Sequence, residues 1–268
     1  MRKVEGKALH LGKPIFLSAS PFFLLESSFT FLEASTLKGC VKIIFLIFEE
    51  KMDLRFKAPF SWLLAGGSGC GKTTKCVNFL KSHDKLIDTG KCDNIIYFYN
   101  QWQPSYDELE SSMDIQWIEG VPTMNRIREL TLSHKNSGGS IVIIDDFMSS
   151  LDKSLIELFT VYAHHGNCST IFLSQNLFDK NPHFRTVSLN STYISIFKNP
   201  RDKLQISAFA RQINPTNSKF VIDSYQAATA AAYSYLFFDN HQKTDDNFRL
   251  RSRILPHEQP MIIWMPKT

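Results

Sequence analysis

The sequence predicts an α/β fold: a three-layer sandwich in which helices cover both faces of a mostly parallel central sheet. Short runs rich in β-branched and aromatic residues alternate with helical patterns from Met52 onward. These runs are apolar at nearly every position, which is typical of parallel strands buried on both faces. The chain has 268 residues, of which 43% are hydrophobic and 21% charged, so it is large enough to bury such a core.

The predicted elements follow one another as strands and helices along the chain. The predicted strands are Ser61 to Ala65, Asn94 to Tyr99, Ile115 to Ile118, Ser140 to Asp145, Ser169 to Gln175, Thr192 to Phe197 and Tyr233 to Phe238. The predicted helices are Lys72 to Ser82, Met124 to His134, Lys153 to His164, Pro200 to Arg211 and Asn217 to Ala232. Residues 1–51 show neither a sustained helical period nor a clear strand alternation. We therefore expect an N-terminal extension at 1–51, a domain at 52–240 and a C-terminal tail at 241–268.

Composition excludes several classes of protein. The net charge of +4 and the pI of about 8.7 are compatible with a polyanionic partner but decide nothing alone. The cysteines are scattered and lack a C-x-x-C spacing, so they suggest neither a disulfide framework nor a zinc site. The longest apolar run, 41–48, is far shorter than the roughly 20 residues of a membrane span. We expect an intracellular protein that is neither secreted nor embedded in a membrane.

A glycine-rich loop lies between the first predicted strand of the domain and the helix that follows. Residues 66–73 read G-G-S-G-C-G-K-T and match the P-loop pattern G-x-x-x-x-G-K-[ST] at every fixed position. Such a loop turns backbone N–H groups toward phosphates at a helix N-terminus, with Lys72 on the β- and γ-phosphates and the Thr73 hydroxyl on Mg²⁺. The predicted ATP-binding residues are Gly66, Gly67, Ser68, Gly69, Cys70, Gly71, Lys72, Thr73 and Thr74.

Two acids end a later strand. The segment "IVIIDDF" places Asp145 and Asp146 directly after four β-forming residues. A lone strand with this ending is more often simply solvated at its end, but the preceding P-loop favours a Walker B strand. We then expect Asp145 to hold Mg²⁺ and Asp146 to act as the general base on the attacking water.

Gln175 ends the next strand, in "TIFLSQ". Its carboxamide either senses the γ-phosphate and holds the lytic water or merely caps the strand in solvent. This strand would lie between the P-loop strand and the Walker B strand. An additional strand in that position, with a polar residue at its end, indicates the RecA/FtsK-like branch of P-loop NTPases. GTPases and kinases are disfavoured, because no N-K-x-D motif and no compact arginine-rich lid are present.

Two longer stretches carry a family resemblance. The first, from Ser174 to Pro215, includes Q-N-L-F, R-T-x-S-L-N, F-K-N-P-R-D and A-R-Q. The second, "MDLRFKAPFSWLLAGGSGCGKT", begins at Met52. Both resemble the packaging ATPases of Maverick/Polinton transposable elements and their viral relatives, the poxvirus-type packaging ATPases of the FtsK–HerA superfamily. In that family the chain starts near the position of Met52, so we expect residues 1–51 to be either an upstream reading or a mispredicted exon.

The resemblance implies an ATP-driven motor that moves double-stranded DNA, without sequence preference, into a viral or virus-like capsid at the site of virion assembly. Such motors work as homo-oligomeric rings with a capsid or portal-like partner, and an arginine from one subunit completes the site of its neighbour. Arg185 is the favoured candidate for this trans arginine, with Arg201 and Arg211 as alternatives. Each of these three is alternatively a surface arginine that pairs with a nearby acid, as Arg201 would with Asp202.

Basic residues in the same stretch are candidates for DNA contact. Lys198, Arg201, Lys203 and Arg211 either line a pore along the phosphate backbone or form an ordinary solvated surface. Two other functions stay open from the sequence: an FtsK/HerA-like pump or helicase acting on host DNA, and a domesticated relic that binds nucleotide without turnover.

Overall fold

The computed structural model describes residues 30–37, 41–47, 53–90, 92–147, 153–179, 181–201 and 203–266, the first two ranges by their backbone alone. In these ranges eleven strands form one sheet, in the order β1-β2-β11-β10-β9-β8-β3-β7-β6-β4-β5. Their bounds are Thr30–Leu37 (β1), Val41–Ile47 (β2), Ser61–Ala65 (β3), Asn94–Tyr99 (β4), Ile115–Glu119 (β5), Ser140–Asp145 (β6), Cys168–Ser174 (β7), Tyr193–Phe197 (β8), Tyr235–Asp239 (β9), Leu250–Ser252 (β10) and Ile262–Pro266 (β11).

The sheet has a parallel half and an antiparallel half. Strands β8, β3, β7, β6, β4 and β5 all pair in parallel. From β8 outward, through β9, β10, β11 and β2 to β1, every pairing is antiparallel. Strand β7 lies between β3, which precedes the glycine-rich loop, and β6, which ends in the two acids. The order confirms the predicted P-loop NTPase fold with an additional strand.

Helices connect the parallel strands and cover both faces of the sheet. Their bounds are Lys72–Leu80 (α1), His83–Leu86 (α2), Pro104–Glu110 (α3), Met124–Thr131 (α4), Lys153–Glu157 (α5), Ala163–His165 (α6), Pro182–Asn190 (α7), Lys203–Ile213 (α8) and Ser218–Ala228 (α9). A π-helical turn, Leu158–Tyr162, joins α5 to α6. Short 3-10 turns lie at Leu132–His134, Asp246–Phe248 and Pro256–Glu258. None of the helices in the described ranges is long and apolar enough to span a membrane.

Alternate residues of each central strand belong to two separate cores. On β6, Val142 and Ile144 pack with α4, α5, α7, α8 and α9. Ile141 and Ile143, on the other face, pack with α1, α2 and α3. Strand side chains alternate between the two faces of a sheet, so Asp145 belongs to the face that α1 covers. The alternation of side chains therefore places Asp145 on the side of the sheet where α1 begins at the glycine-rich loop.

The structure differs from the sequence prediction at both ends of the chain. Residues 241–268 do not form a separate tail, because β10 and β11 extend the same sheet and pair with β9 and β2. The 3 residues of β10 are too few to establish a period, and β11 contains Pro266, which argues against a strand. Within 1–51, β1 and β2 form the far edge of the sheet, so part of the predicted extension is strand. Residues 1–29 of that extension lie outside the described residues.

Two element boundaries shift where the backbone turns left-handed. The predicted last helix runs to Ala232, but α9 ends at Ala228. The strand that follows begins at Tyr235, two residues later than predicted, because Tyr233 has a φ of 58° and a residue in that conformation cannot continue a strand. The sequence also misses α3 and α7, although each begins with a proline in its first turn.

Candidate functional site

The glycine-rich loop links the end of β3 to the start of α1 at the carboxyl edge of the parallel strands. The Gly66 N–H donates to the Ser174 carbonyl at 3.1 Å, which ties the start of the loop to the end of β7. Gly69 and Gly71 have φ values of 71° and 98°, in the left-handed region that favours glycine. Gly71 is also the N-cap residue of α1, so the loop delivers the chain directly into a helix N-terminus.

Lys72 lies inside the curve of this loop. Its Nζ donates to the carbonyl oxygens of Gly66 at 2.7 Å and of Gly67 at 3.1 Å. Its positive charge also helps to hold down the pKa of Asp145. The residue that the sequence predicts to bind phosphate is therefore half-buried, with its ammonium held by two carbonyl groups of the loop.

Gly66 is required by packing as well as by its place in the loop. A Cβ at this position would lie 2.7 Å from Cys70 Sγ and 2.7 Å from Phe197 Cβ, both too close for real contacts. At Gly67 a Cβ would meet nothing within 4 Å. We expect Gly66→Ala to lower the free energy of unfolding by about 1–3 kcal/mol through overpacking. Gly67→Ala is the matched control and should leave the free energy of unfolding unchanged. Urea unfolding of both variants measures the difference, and equal stabilities would contradict the prediction.

Asp145 is buried on the α1 face and surrounded by hydroxyl groups. The Tyr97 and Tyr106 hydroxyls donate to its Oδ2 at 2.8 Å and 2.7 Å. The Thr73 hydroxyl, in the first turn of α1, lies 3.4 Å from the same oxygen. One carboxylate oxygen thus gathers donors from β4, α3 and α1, and the Thr73 hydroxyl joins the glycine-rich loop to the end of β6.

The pKa of Asp145 is raised above its ordinary value, because burial disfavours the charged carboxylate. The hydroxyl groups of Tyr106 and Tyr97 and the charge of Lys72 act in the opposite direction. Burial also raises the pKa of both tyrosines, so they stay protonated and remain donors. The three hydroxyl groups of Thr73, Tyr97 and Tyr106 all reach Oδ2 of this carboxylate.

Tyr106→Phe tests the part that the surrounding hydroxyl groups play at Asp145. Loss of one donor to the carboxylate should raise the pKa of Asp145 further. If the chain hydrolyses ATP with Mg²⁺, as the sequence predicts, the acid limb of its pH–rate profile should then move to higher pH. The Mg²⁺ concentration for half-maximal rate should rise by about 10-fold, the effect of one hydrogen bond to a charged group. Tyr99→Phe is the control and should change neither quantity: Tyr99 pairs with Asp145 across β4 and β6 through the backbone, but among the described residues the hydroxyl donors to that carboxylate are those of Thr73, Tyr97 and Tyr106. Identical pH profiles for the two variants would contradict the prediction.

Asp146 follows the end of β6 in a different setting. Its φ is 66°, an uncommon conformation for a residue other than glycine, and its side chain is exposed. The Gln175 Nε2 donates to its two carboxylate oxygens at 2.9 Å and 3.2 Å. The structure therefore brings together the second acid and the polar residue that follows β7.

The Thr73 hydroxyl and Asp145 carboxylate suit Mg²⁺. They are hard oxygen ligands, they lie 3.4 Å apart, and a Mg²⁺ site in a phosphate-binding protein is commonly built from one or two protein oxygens, substrate phosphates and water. Among the residues that the structure describes, no group of three or more His, Cys, Asp or Glu side chains is arranged for a metal. The donor set therefore fits a cation that arrives with the nucleotide.

The remaining predicted residues are distributed over the loop and the surface. Ser68 and Thr74 are exposed at the loop and the first turn of α1. Cys70 is half-buried, with its Sγ 3.9 Å from Lys72 Nζ, and burial raises the pKa of its thiol. Arg185 is exposed on α7, and the described residues give it no ion-pair partner. The expected pairing of Arg201 with Asp202 involves a residue outside the described ranges.

The structure separates the four basic candidates for DNA contact into two groups. Lys198 Nζ donates to the Ala230 carbonyl at 2.9 Å and fixes the loop before β9. Arg201, Lys203 and Arg211 are exposed at and along α8. The sequence could not distinguish the two groups, because a lysine that binds a carbonyl and one that faces solvent have the same pattern of neighbours along the chain.

Tyr97 and Tyr106 are the functional residues that sequence reasoning misses. Tyr97 lies in the middle of an apolar strand, where it looks like core, and Tyr106 lies in a helix that the sequence does not predict. One signal was available: a proline at the start of α3, followed by Tyr106 and Leu109 at helical spacing. Nothing along the chain indicates that both hydroxyls meet the acid of β6.

Known proteins resemble parts of this chain. No family model matches the chain. The chain is 31% identical over 144 residues to the DNA packaging protein OPG160 of Variola virus, an alignment covering 48% of this chain and 51% of that protein. The Monkeypox virus protein of the same name is 30% identical over 151 residues, covering 50% and 48% of the two chains. The chain thus spans about half the length of the curated relatives it matches.

Solved structures resemble the chain more distantly. The genome packaging NTPase B204 of Sulfolobus turreted icosahedral virus 2, in complex with ATP-gammaS, has a TM-score of 0.45 and 18% identity, covering 69% of this chain and 94% of that one. The cytoplasmic domain of the type VII secretion ATPase EccC of Thermomonospora curvata has a TM-score of 0.44 and 10% identity, covering 77% and 25%.

Proposed function

We propose that this chain is an Mg²⁺-dependent ATPase. The observation that carries the proposal is the meeting, at one edge of the sheet, of a P-loop lysine, two strand-end acids and a glutamine. Lys72 is held inside the loop at 2.7 Å from the Gly66 carbonyl, and Thr73 lies 3.4 Å from Asp145. These groups come from three neighbouring parallel strands and their loops, as ATP hydrolysis on this fold requires.

Each residue has its own part in the proposed reaction. The loop N–H groups and Lys72 bind the triphosphate, and Thr73 and Asp145 hold the Mg²⁺ that neutralises charge developing on the phosphates. Asp146 accepts the proton of the attacking water, and Gln175 positions that water or detects the γ-phosphate. The Gln175 amide donates to Asp146 at 2.9 Å, so the two side chains are close enough to act on the same water.

We further propose that hydrolysis drives double-stranded DNA into a capsid at the site of virion assembly, as a genome-packaging motor of the Maverick/Polinton and poxvirus type. The support is the 31% identity to a protein named for DNA packaging, over about half of each chain. The exposed cations Arg201, Lys203 and Arg211 offer phosphate contacts that carry no sequence information.

The DNA proposal is tested with the full chain and duplexes of unrelated sequence. ATP hydrolysis should require Mg²⁺ and be stimulated equally by each duplex, and DNA binding should weaken steeply with salt. In the double variant Arg201→Ala and Lys203→Ala, the slope of the logarithm of the DNA-binding constant against the logarithm of the salt concentration should fall by about 2, one for each lost phosphate contact. Lys219→Ala, which removes an exposed cation paired with Asp223 at 2.7 Å, is the matched control. Hydrolysis indifferent to DNA would contradict the motor.

A ring with shared sites makes a distinct prediction for Arg185. If Arg185 acts on the neighbouring subunit, Lys72→Ala and Arg185→Ala chains should each be inactive alone. Mixing them should restore hydrolysis, because some boundaries then combine an intact lysine from one chain with an intact arginine from the other. Absence of recovery in the mixture, with oligomers present, would contradict the trans role of Arg185.

A further inference from the structure

A cavity of about 860 Å³ includes Lys72 and Thr73 in its lining and extends beyond the glycine-rich loop to residues that have no role assigned so far. One wall consists of the loop and α1, including Gly71, Thr74 and Asn78. The other wall comes from distant parts of the chain and includes Tyr233 and Arg253. The cavity begins where the phosphate-binding loop ends, so a ligand held by the loop would extend into it.

Tyr233 and Arg253 share an uncommon backbone conformation. Both have a φ of 58°, in the left-handed region that residues with a side chain seldom adopt. Strained residues of this kind cluster at ligand sites and persist only where their surroundings fix them. Among the described residues only two others besides glycine have a positive φ, and one of these is Asp146.

Neighbouring contacts hold both strained residues in place. Next to Tyr233, the Ser234 carbonyl accepts from the Lys198 N–H at 3.0 Å, and the Ser234 hydroxyl donates to the Ala231 carbonyl at 2.7 Å. Next to Arg253, the Ile254 N–H donates to the Tyr235 hydroxyl at 3.1 Å. The strain is therefore built into the fold rather than confined to a free loop tip.

The Tyr233 side chain lies against the glycine-rich loop and is largely open to solvent. A Cβ placed on Gly71 would be 3.4 Å from Tyr233 Cβ and 3.5 Å from its Cδ1. The residue nevertheless has 68% of its surface exposed. A large aromatic ring in a strained backbone, beside a phosphate-binding loop and uncovered, presents a flat surface on which a nucleobase can stack.

Arg253 supplies a cation to the same cavity. Its side chain is exposed, and within the described ranges it has neither an ion-pair nor a hydrogen-bond partner. A guanidinium has five N–H donors and no acceptor, so it matches the hydroxyl oxygens of a ribose. An aromatic platform and an unpaired donor in one cavity correspond to the two parts of a nucleoside.

We infer that this cavity is the nucleoside subsite, in which Tyr233 stacks on the base of the bound triphosphate and Arg253 donates to its ribose. The inference rests on the proposed function, because it assumes that the triphosphate occupies the loop. It adds two residues that no sequence motif contains, and it assigns the recognition of the nucleoside to the turn before β9 and to the residue that follows β10.

Calorimetric titration of the full chain with two probes, Mg·ATPγS and Mg·tripolyphosphate, tests the subsite. Tyr233→Asn and Arg253→Asn remove the side chains and keep a residue type that tolerates the left-handed conformation. Each variant should bind ATPγS about 10-fold more weakly and tripolyphosphate as wild type does. Tyr233→Phe keeps the ring and should bind ATPγS within about twofold of wild type. A thermal midpoint equal to that of wild type shows that the asparagine variants are folded.

The outcomes separate this inference from the proposed function. Asparagine variants that bind ATPγS as tightly as wild type would overturn the subsite. Equal losses for both probes would overturn it as well, because they would show a general effect on the loop. A wild-type chain that binds the two probes equally tightly would reject the subsite and leave the phosphate site intact. A wild-type chain that binds neither would reject the phosphate site and the proposed function with it.

Discussion

Replacing Asp146 by asparagine is expected to lower kcat for ATP hydrolysis by about 10²- to 10⁴-fold, the contribution of a general base. Affinity for Mg·ATPγS should stay within about twofold, because the cation and phosphates bind Asp145 and the loop instead. The fold should be unaffected: Asp146 is exposed with a φ of 66°, and asparagine is among the residues that tolerate this region best. Gln175 retains a hydrogen-bond partner in the variant.

Steady-state hydrolysis and calorimetric binding of Mg·ATPγS, measured on the same preparation, check this prediction. Asp114→Asn is the matched control, since Asp114 is also exposed but lies at the start of β5, away from the carboxyl edge of the sheet. Its kcat should equal that of wild type. An Asp146→Asn chain that hydrolyses ATP at the wild-type rate would exclude Asp146 as the base.

Replacing Lys72 by alanine is expected to weaken Mg·ATPγS binding by about 10- to 150-fold, the worth of a hydrogen bond to a charged group, and to reduce hydrolysis further. Two effects combine. The ammonium that binds the phosphates is lost, and the pKa of Asp145 rises because a positive charge that holds it down is gone. The affinity for Mg²⁺ should therefore fall as well, and this loss should be largest at low pH.

Binding isotherms at two pH values distinguish the two effects. The loss for Lys72→Ala should be larger at the lower pH, where a raised pKa leaves more of Asp145 protonated. Lys85→Ala removes an exposed lysine from α2 and should leave binding unchanged at both pH values. Undiminished ATPγS affinity in Lys72→Ala would mean that the loop does not hold the triphosphate.

Elements with a strong local signal agree closely with the sequence prediction. The strands Ser61–Ala65, Asn94–Tyr99 and Ser140–Asp145 have the predicted bounds, because an apolar run that ends at glycine, at polar amides or at acids leaves little choice of boundary. The glycine-rich loop and the order of β3, β7 and β6 likewise agree with the prediction. The strands β10 and β11 were not predicted: the 3 residues of β10 are too few to establish a period, and β11 contains Pro266, which argues against a strand.

The sequence by itself determined the P-loop, the strand-end acids, the terminal glutamine and the α/β sandwich, because each depends on the chemistry and spacing of neighbouring residues. Only the tertiary structure decided that Tyr97 and Tyr106 hold Asp145, that Gln175 pairs with Asp146, and that Tyr233 and Arg253 face the loop. The physical reason is that these contacts join residues distant in sequence. Strand order and the parity of side chains across the sheet set them, and neither is encoded in any short stretch of the chain.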